Sequence, residues 1–134
     1  MEWAALIAWI VTALFGFTML VIWLKHGGMQ QRGGKIRPEL ILSHFLLAAS
    51  GLVVWIVYIA ADKEALKWIA LGALVVVALL GWTMFFGWAR QRRAVEVPMA
   101  TAEQRFPIPV IALHGLAAVT TVVLVFLTAI GVGD

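Results

Sequence analysis

Two histidines stand inside otherwise apolar stretches, His44 in "LSHFLLAASGLVV" and His114 in "ALHGLAAVTTVV". Both occur in the pattern H-x-L-x-A, continued by Leu46 and Ala48 in the first and by Leu116 and Ala118 in the second. Imidazole titrates near neutrality and is the commonest metal ligand among side chains, so its placement within an apolar helix marks a functional candidate. A single such histidine is also explained by a hydrogen bond to a serine, a threonine or a neighbouring carbonyl. Two at matched positions suit an axial pair: haem iron accepts a neutral imidazole nitrogen on each side, and a helix bundle supplies facing side chains.

A tetrapyrrole between two helices needs small residues at its level. The face of His44 continues with Ala48 and Gly51, and that of His114 with Ala117, Ala118 and Thr121. Two further stripes are built of small residues up to a methionine: Ala5, Ala8, Thr12, Gly16, Met19, and Ala70, Ala73, Val77, Gly81, Met84. Close helix packing uses the same residues, so the cofactor-slot and packing readings both stand. Arg37, Arg105, Lys25 and Arg90 are cations within reach of haem propionates. Met19 and Met84 fall at about the histidine depth. With the two imidazoles they offer a soft donor set for cuprous copper, or pliable packing against a flat cofactor.

The elements that carry these residues are four apolar runs, Trp3–Leu24, Leu40–Ala61, Leu66–Ala89 and Phe106–Val132. Each exceeds the ~20 residues that cross a hydrocarbon core as a helix, and 63% of the 134 residues are hydrophobic. The sequence predicts an all-α, multi-pass membrane protein, a single up-down four-helix bundle over 1–134, with the lipid bilayer as its surroundings. The first run begins behind Glu2, not behind a basic segment, and is too long for a removable signal peptide. No cysteine is present, which excludes disulfides and thiolate-ligated iron–sulfur clusters.

The cations assign the topology. Lys25, Arg32, Lys35 and Arg37 flank the first connection and Arg90, Arg92, Arg93 and Arg105 the third, whereas the second offers only Lys63 and Lys67. Connections one and three are expected in the cytoplasm and both termini outside, in the plasma membrane. The net charge of +3 thus follows topology and gives no reason to expect nucleic acid as a partner. The third connection, "RQRRAVEVPMATAEQR", reads as an interfacial loop.

Sliding the sequence on itself shows a duplication. At a shift of 65 residues, Trp3, Ala5, Leu6, Ala8, Val11, Ala13, Leu14, Gly16, Thr18, Met19 and Trp23 meet identical residues. At a shift of 70, Ile41, His44, Leu46, Ala48 and Val53 do so, and Ser50 meets Thr120. The chain therefore reads as two tandem helix hairpins, 1–61 and 62–134, in the same orientation and related by a pseudo-twofold axis along the membrane normal. Short connections favour a bundle in which spans 2 and 4 are diagonal. His44 is six residues past Pro38 and His114 seven past Pro107, which sets both about 9–10 Å into their helices.

Other residues take quieter roles. Trp3 and Trp68, and likewise Trp23 and Trp88, read as interfacial belts at the two membrane faces. Trp9, Trp55 and Tyr58 lie deeper and could edge a quinone pocket. Thr18 and Thr83 are expected to bond back to their own helices, and His26 to be solvated or at the headgroups. No serine–histidine–carboxylate set is present, and the glycines of "HGG" and "RGG" lack the strand-to-helix setting of a phosphate cradle.

With one histidine in each of two spans of a four-helix bundle, the chain resembles the small membrane-bound b-type cytochromes, including the cytochrome b561-like electron carriers. The resemblance covers the architecture of the whole chain, and its specific residues are His44 and His114. Two-haem members of such families hold a second histidine pair near the other membrane face, which this chain lacks. The resemblance implies one haem b on the cytoplasmic side, serving one-electron transfer with a quinone, superoxide or a redox partner protein, as an oxidoreductase or an electron carrier. A copper-handling bundle and an accessory structural subunit of a dimer or larger membrane complex remain the alternatives.

Overall fold

A computed structural model describes residues 1–31, 36–94 and 101–133. Arg32 and Lys35, counted above for topology, and residues 95–100 of the third connection lie outside the described residues. The four runs form helices α1 (Glu2–Lys25), α2 (Pro38–Ala61), α3 (Glu64–Arg93) and α4 (Ile108–Ala129). All four are long and apolar enough to cross a membrane.

Local chemistry sets their ends. Pro38 occupies the first turn of α2 and Pro109 that of α4, where a missing N–H costs nothing. Asp62 adopts a left-handed conformation, φ 49°, which lets α2 turn into α3 through two residues; an aspartate tolerates that region better than most side chains. Glu2 and Glu64 lie in the first turns of α1 and α3, and Lys25 or Arg90, Arg92 and Arg93 in their last, each sign matching the helix dipole. One end of the bundle is therefore basic, and the other, carrying the α2–α3 turn, is called the far end below. The fourth run stops being helical three residues early, at Ala129, and closes with a bond from Val132 N–H to the Leu127 carbonyl (2.9 Å) and a left-handed Gly131, a Schellman-type ending.

Helix α1 packs mainly against α4, and α2 mainly against α3; contacts between α1 and α2 and between α3 and α4 are sparser. The bundle is thus two tight slabs, α1/α4 and α2/α3, joined along a seam, with α2 diagonal to α4. The pseudo-twofold relation exchanges the slabs. Large apolar side chains such as Ile7, Leu14, Leu79 and Leu116 project outward, as lipid contact requires.

Packing is uneven along the axis. At the far end Ala5, Trp9, Trp55, Tyr58, Ala70, Leu74 and Val125 form the core. At the basic end Trp23, Ile36, Trp88, Ala102 and Glu103 are buried. Between them, no residue of 13–22, 39–50, 78–87 or 108–120 is fully buried. All four helices leave this layer loosely packed, and both histidines are in it.

Candidate functional site: the histidine pair

The imidazoles of His44 and His114 face each other across the bundle, with ring centroids 6.4 Å apart and planes at 63°. Each is held by the partner helix of its own slab. His44 Nδ1–H donates to the Val77 carbonyl and His114 Nδ1–H to the Thr12 carbonyl, both at 3.0 Å. A carbonyl only accepts, so Nδ1 carries the proton and Nε2 keeps its lone pair. Thr12 and Val77 are 65 residues apart and the histidines 70, so the two bonds are equivalent under the duplication.

The glycines explain how the helices come close enough. A Cβ on Gly16 would stand 3.0 Å from His114 Cε1, and one on Gly81 3.2 Å from His44 Cε1. Each glycine therefore faces the imidazole on the neighbouring helix. Met19 and Met84 follow three residues later on the same faces, half-buried.

The remaining residues singled out in the sequence divide by depth. Ala48 and Ala118 share the loosely packed layer, half-buried. Gly51 and Thr121, two turns beyond the histidines, belong to the packed far-end half. A Cβ on Gly51 would meet Trp9 at 3.0 Å and Ala73 Cβ at 3.5 Å. The Thr121 hydroxyl lies 3.0 Å from that of Thr12 and 2.8 Å from the Ala117 carbonyl. Because Thr12 Oγ1 also reaches the Ala8 carbonyl at 2.8 Å, two hydroxyl protons serve three contacts, tying α1 to α4 just outside the histidine bond. Arg37 and Arg105 are exposed at the basic surface, and Arg37 Nε lies 3.9 Å from Glu39 Oε2.

Several secondary expectations are met. Thr18 and Thr83 bond back to the Leu14 and Leu79 carbonyls at 2.9 Å. His26 is exposed, with Nδ1 on the Ile22 carbonyl. Trp3 and Trp68 are exposed, as belt residues are. The aromatic assignments are corrected in two places. Trp23 and Trp88 are 1% and 9% exposed, so they cap the bundle from inside and do not form a belt. Trp9, Trp55 and Tyr58 do not edge a pocket; they fill the seam, with Trp9 and Trp55 centroids 6.4 Å apart and Trp55 and Tyr58 5.0 Å apart.

A cap that apolar periodicity does not announce closes the basic end. Residues Ala102–Arg105 form a short 3₁₀ turn, and Glu103 there is 0% exposed. Gln31 Nε2 donates to Glu103 Oε2 at 3.0 Å, while its Oε1 accepts from the Ala102 N–H at 2.7 Å. Gln91 Nε2 donates to Thr101 Oγ1 at 2.8 Å. The described part of the third connection is therefore folded under the bundle.

No protein-family model, curated protein or solved structure matches the chain. Its chemistry has to be read from its own residues. Among the described residues, no three histidine, cysteine or acidic side chains converge, which argues against a zinc-type cage built from protein ligands alone. The opposed imidazoles supply two nitrogen donors.

Proposed function

We propose that the protein is a membrane-embedded b-type haem protein, with His44 and His114 as the two axial ligands of one haem. The observation that carries this is the opposed pair itself. An imidazole nitrogen lies about 2.0 Å from a bound metal and the ring centroid roughly 1.1 Å further, so two axial rings have centroids roughly 6.2 Å apart; the observed separation is 6.4 Å. The Nδ1 bonds to main-chain carbonyls are the outer-shell contacts that ligating histidines make, fixing the tautomer with Nε2 toward the metal. Glycine at 16 and 81 leaves room for the imidazole on the neighbouring helix, and the loosely packed layer lies along the seam between the slabs. The far end, filled by Trp9, Trp55 and Tyr58, supports one such centre and not two.

Haem held in this way supplies one-electron transfer. The chain's own contribution is restrictive. With both histidines bound, such a centre would have no place for oxygen or substrate at the metal, which favours electron exchange with a quinone or a redox protein, as in the electron carriers of the b561 type that the chain resembles. The carbonyls of Thr12 and Val77 hold the two rings, which would limit the reorganisation that accompanies transfer. The charge distribution further supports placing the basic end, and with it the histidine layer, on the cytoplasmic side of the plasma membrane.

The test is reconstitution. Purified protein titrated with haem is expected to develop a sharp Soret band with resolved α and β bands on reduction, saturating at one haem per chain. His44→Ala and His114→Ala are each expected to abolish that spectrum. Protein that takes up no haem, or variants that keep the spectrum, would refute the assignment.

A further inference from the structure

A hydrogen bond present beside one histidine has no counterpart beside the other. His114 Nδ1–H donates to the Thr12 carbonyl and His44 Nδ1–H to the Val77 carbonyl, and each Cε1 lies over a glycine. On α1, the residue that supplies the carbonyl is gripped a second time: the Thr12 hydroxyl lies 3.0 Å from that of Thr121. Thr121 is 0% exposed and follows His114 by seven residues, close to two helical turns, so α4 presents both to α1 on one face. The two contacts suit the two directions in which a helical residue reaches. The carbonyls of α1 point toward its C-terminus, at the basic end, where His114 lies. Its side chains lean toward the N-terminus, where Thr121 lies. Helix α4 therefore holds Thr12 from both ends.

Under the duplication Thr12 answers to Val77 and Thr121 to Gly51, and neither counterpart carries a hydroxyl. A threonine at 51 would not fit, because its Cβ would already stand 3.0 Å from Trp9 and 3.5 Å from Ala73 Cβ. Val77 is instead positioned by apolar packing. Between membrane helices such packing competes with equally apolar lipid, whereas a buried hydrogen bond selects one register. We infer that Thr121 is a positioning residue for His114: through the Thr12 hydroxyl it sets the height and rotation of α1 that aim the ring at the metal position. The Nδ1 bond itself survives any change of these side chains, since its acceptor is main chain; the hydroxyl pair supplies the placement of that acceptor. His114 is then the anchored ligand, and His44 the one that adjusts when iron enters between them. Replacing either threonine by valine leaves the other bonded to its own helix, at the Ala8 or the Ala117 carbonyl, so no hydroxyl is orphaned.

This inference rests on the axial histidine reading, and the experiment separates the two. Haem-free protein with isotope-labelled histidine is studied by nuclear magnetic resonance in detergent, each imidazole signal being assigned from its alanine variant. Thr121→Val is expected to shift and broaden the His114 signals while those of His44 stay in place. Thr12→Val is expected to do the same, and Thr121→Ser, which keeps the hydroxyl, to retain the wild-type signals. In both valine variants haem affinity is expected to fall about fivefold, the factor that one hydrogen bond of ordinary strength represents, with altered anisotropy of the ferric low-spin resonance. A lower melting temperature with His114 signals and haem affinity unchanged would make the pair a simple helix tie and overturn the inference. So would equal shifts of both histidines, or a serine variant that behaves as valine does. Failure of the wild type to take up haem would remove the axial reading, and the His114 signals would still decide the positioning role.

Discussion

An imidazole fixed through Nδ1 to a main-chain carbonyl cannot be loosened by changing the residue that holds it, because the acceptor belongs to the backbone. The sensitive positions around the pair are instead the glycines. A Cβ at Gly16 would be 3.0 Å from His114 and one at Gly81 3.2 Å from His44, so Gly16→Ala forces a ring shift and Gly81→Ala a smaller one. Overpacking of this kind costs about 1–3 kcal/mol. Haem titration should show weakened binding in both, more in Gly16→Ala, with equal affinity to the wild type contradicting the geometry. The histidines were legible in the sequence because an ionisable residue is conspicuous among apolar ones, and the duplication made their pairing legible too. The buried role of Trp23 and Trp88 was not, since a tryptophan at a membrane boundary has the same sequence signature facing lipid or facing inward.

At the scale of elements, the basic end is held by the fold-back of the third connection. Glu103 has one carboxylate oxygen on Gln31 and the other without a partner. Replacing Gln31 by alanine would strip the remaining contact from a fully buried carboxylate and free the Ala102 N–H as well. Such orphaning costs about 1–3 kcal/mol per group, so Gln31→Ala should lower the melting temperature of the haem-free protein, followed by helical circular dichroism in detergent. An unchanged transition would mean the cap adds nothing to stability. Gly28→Ala should be as damaging, since the new methyl would overlap the Trp23 indole. None of this was visible in the polar run "RQRRAVEVPMATAEQR", whose composition is that of a solvated loop. The helices themselves were legible to about two residues at most ends, because four apolar runs bounded by charges, proline and Asp62 leave the chain few alternatives; α3 continues four residues past Ala89 through polar residues 90–93, which apolarity could not show. The early end of α4 was missed because Ile130 and Val132 continue the apolar run into a turn made by Gly131.

At the scale of the molecule, duplication explains the symmetric parts and its decay explains the rest. Histidines, their carbonyl acceptors, glycines, methionines and buried tryptophans recur in both halves. The aromatic plug does not: Trp9, Trp55 and Tyr58 face Leu74, Val125 and Thr128 in the other copy. Division into tight α1/α4 and α2/α3 slabs could not be read from sequence, because lipid-facing and seam-facing residues are equally apolar. Orientation is testable at this scale, since a chain without cysteine accepts single reporters. In intact cells a membrane-impermeant maleimide should label Lys63→Cys, and Arg93→Cys only after permeabilisation; the opposite pattern would invert the proposed topology. The most direct test of the whole account is electron paramagnetic resonance of the ferric, haem-loaded protein. With both rings pinned at 63° to one another, the account predicts a low-spin signal of the strongly anisotropic kind given by two axial imidazoles far from parallel, lost in His44→Ala and in His114→Ala. A high-spin signal in the wild type, or a low-spin signal surviving either substitution, would contradict it.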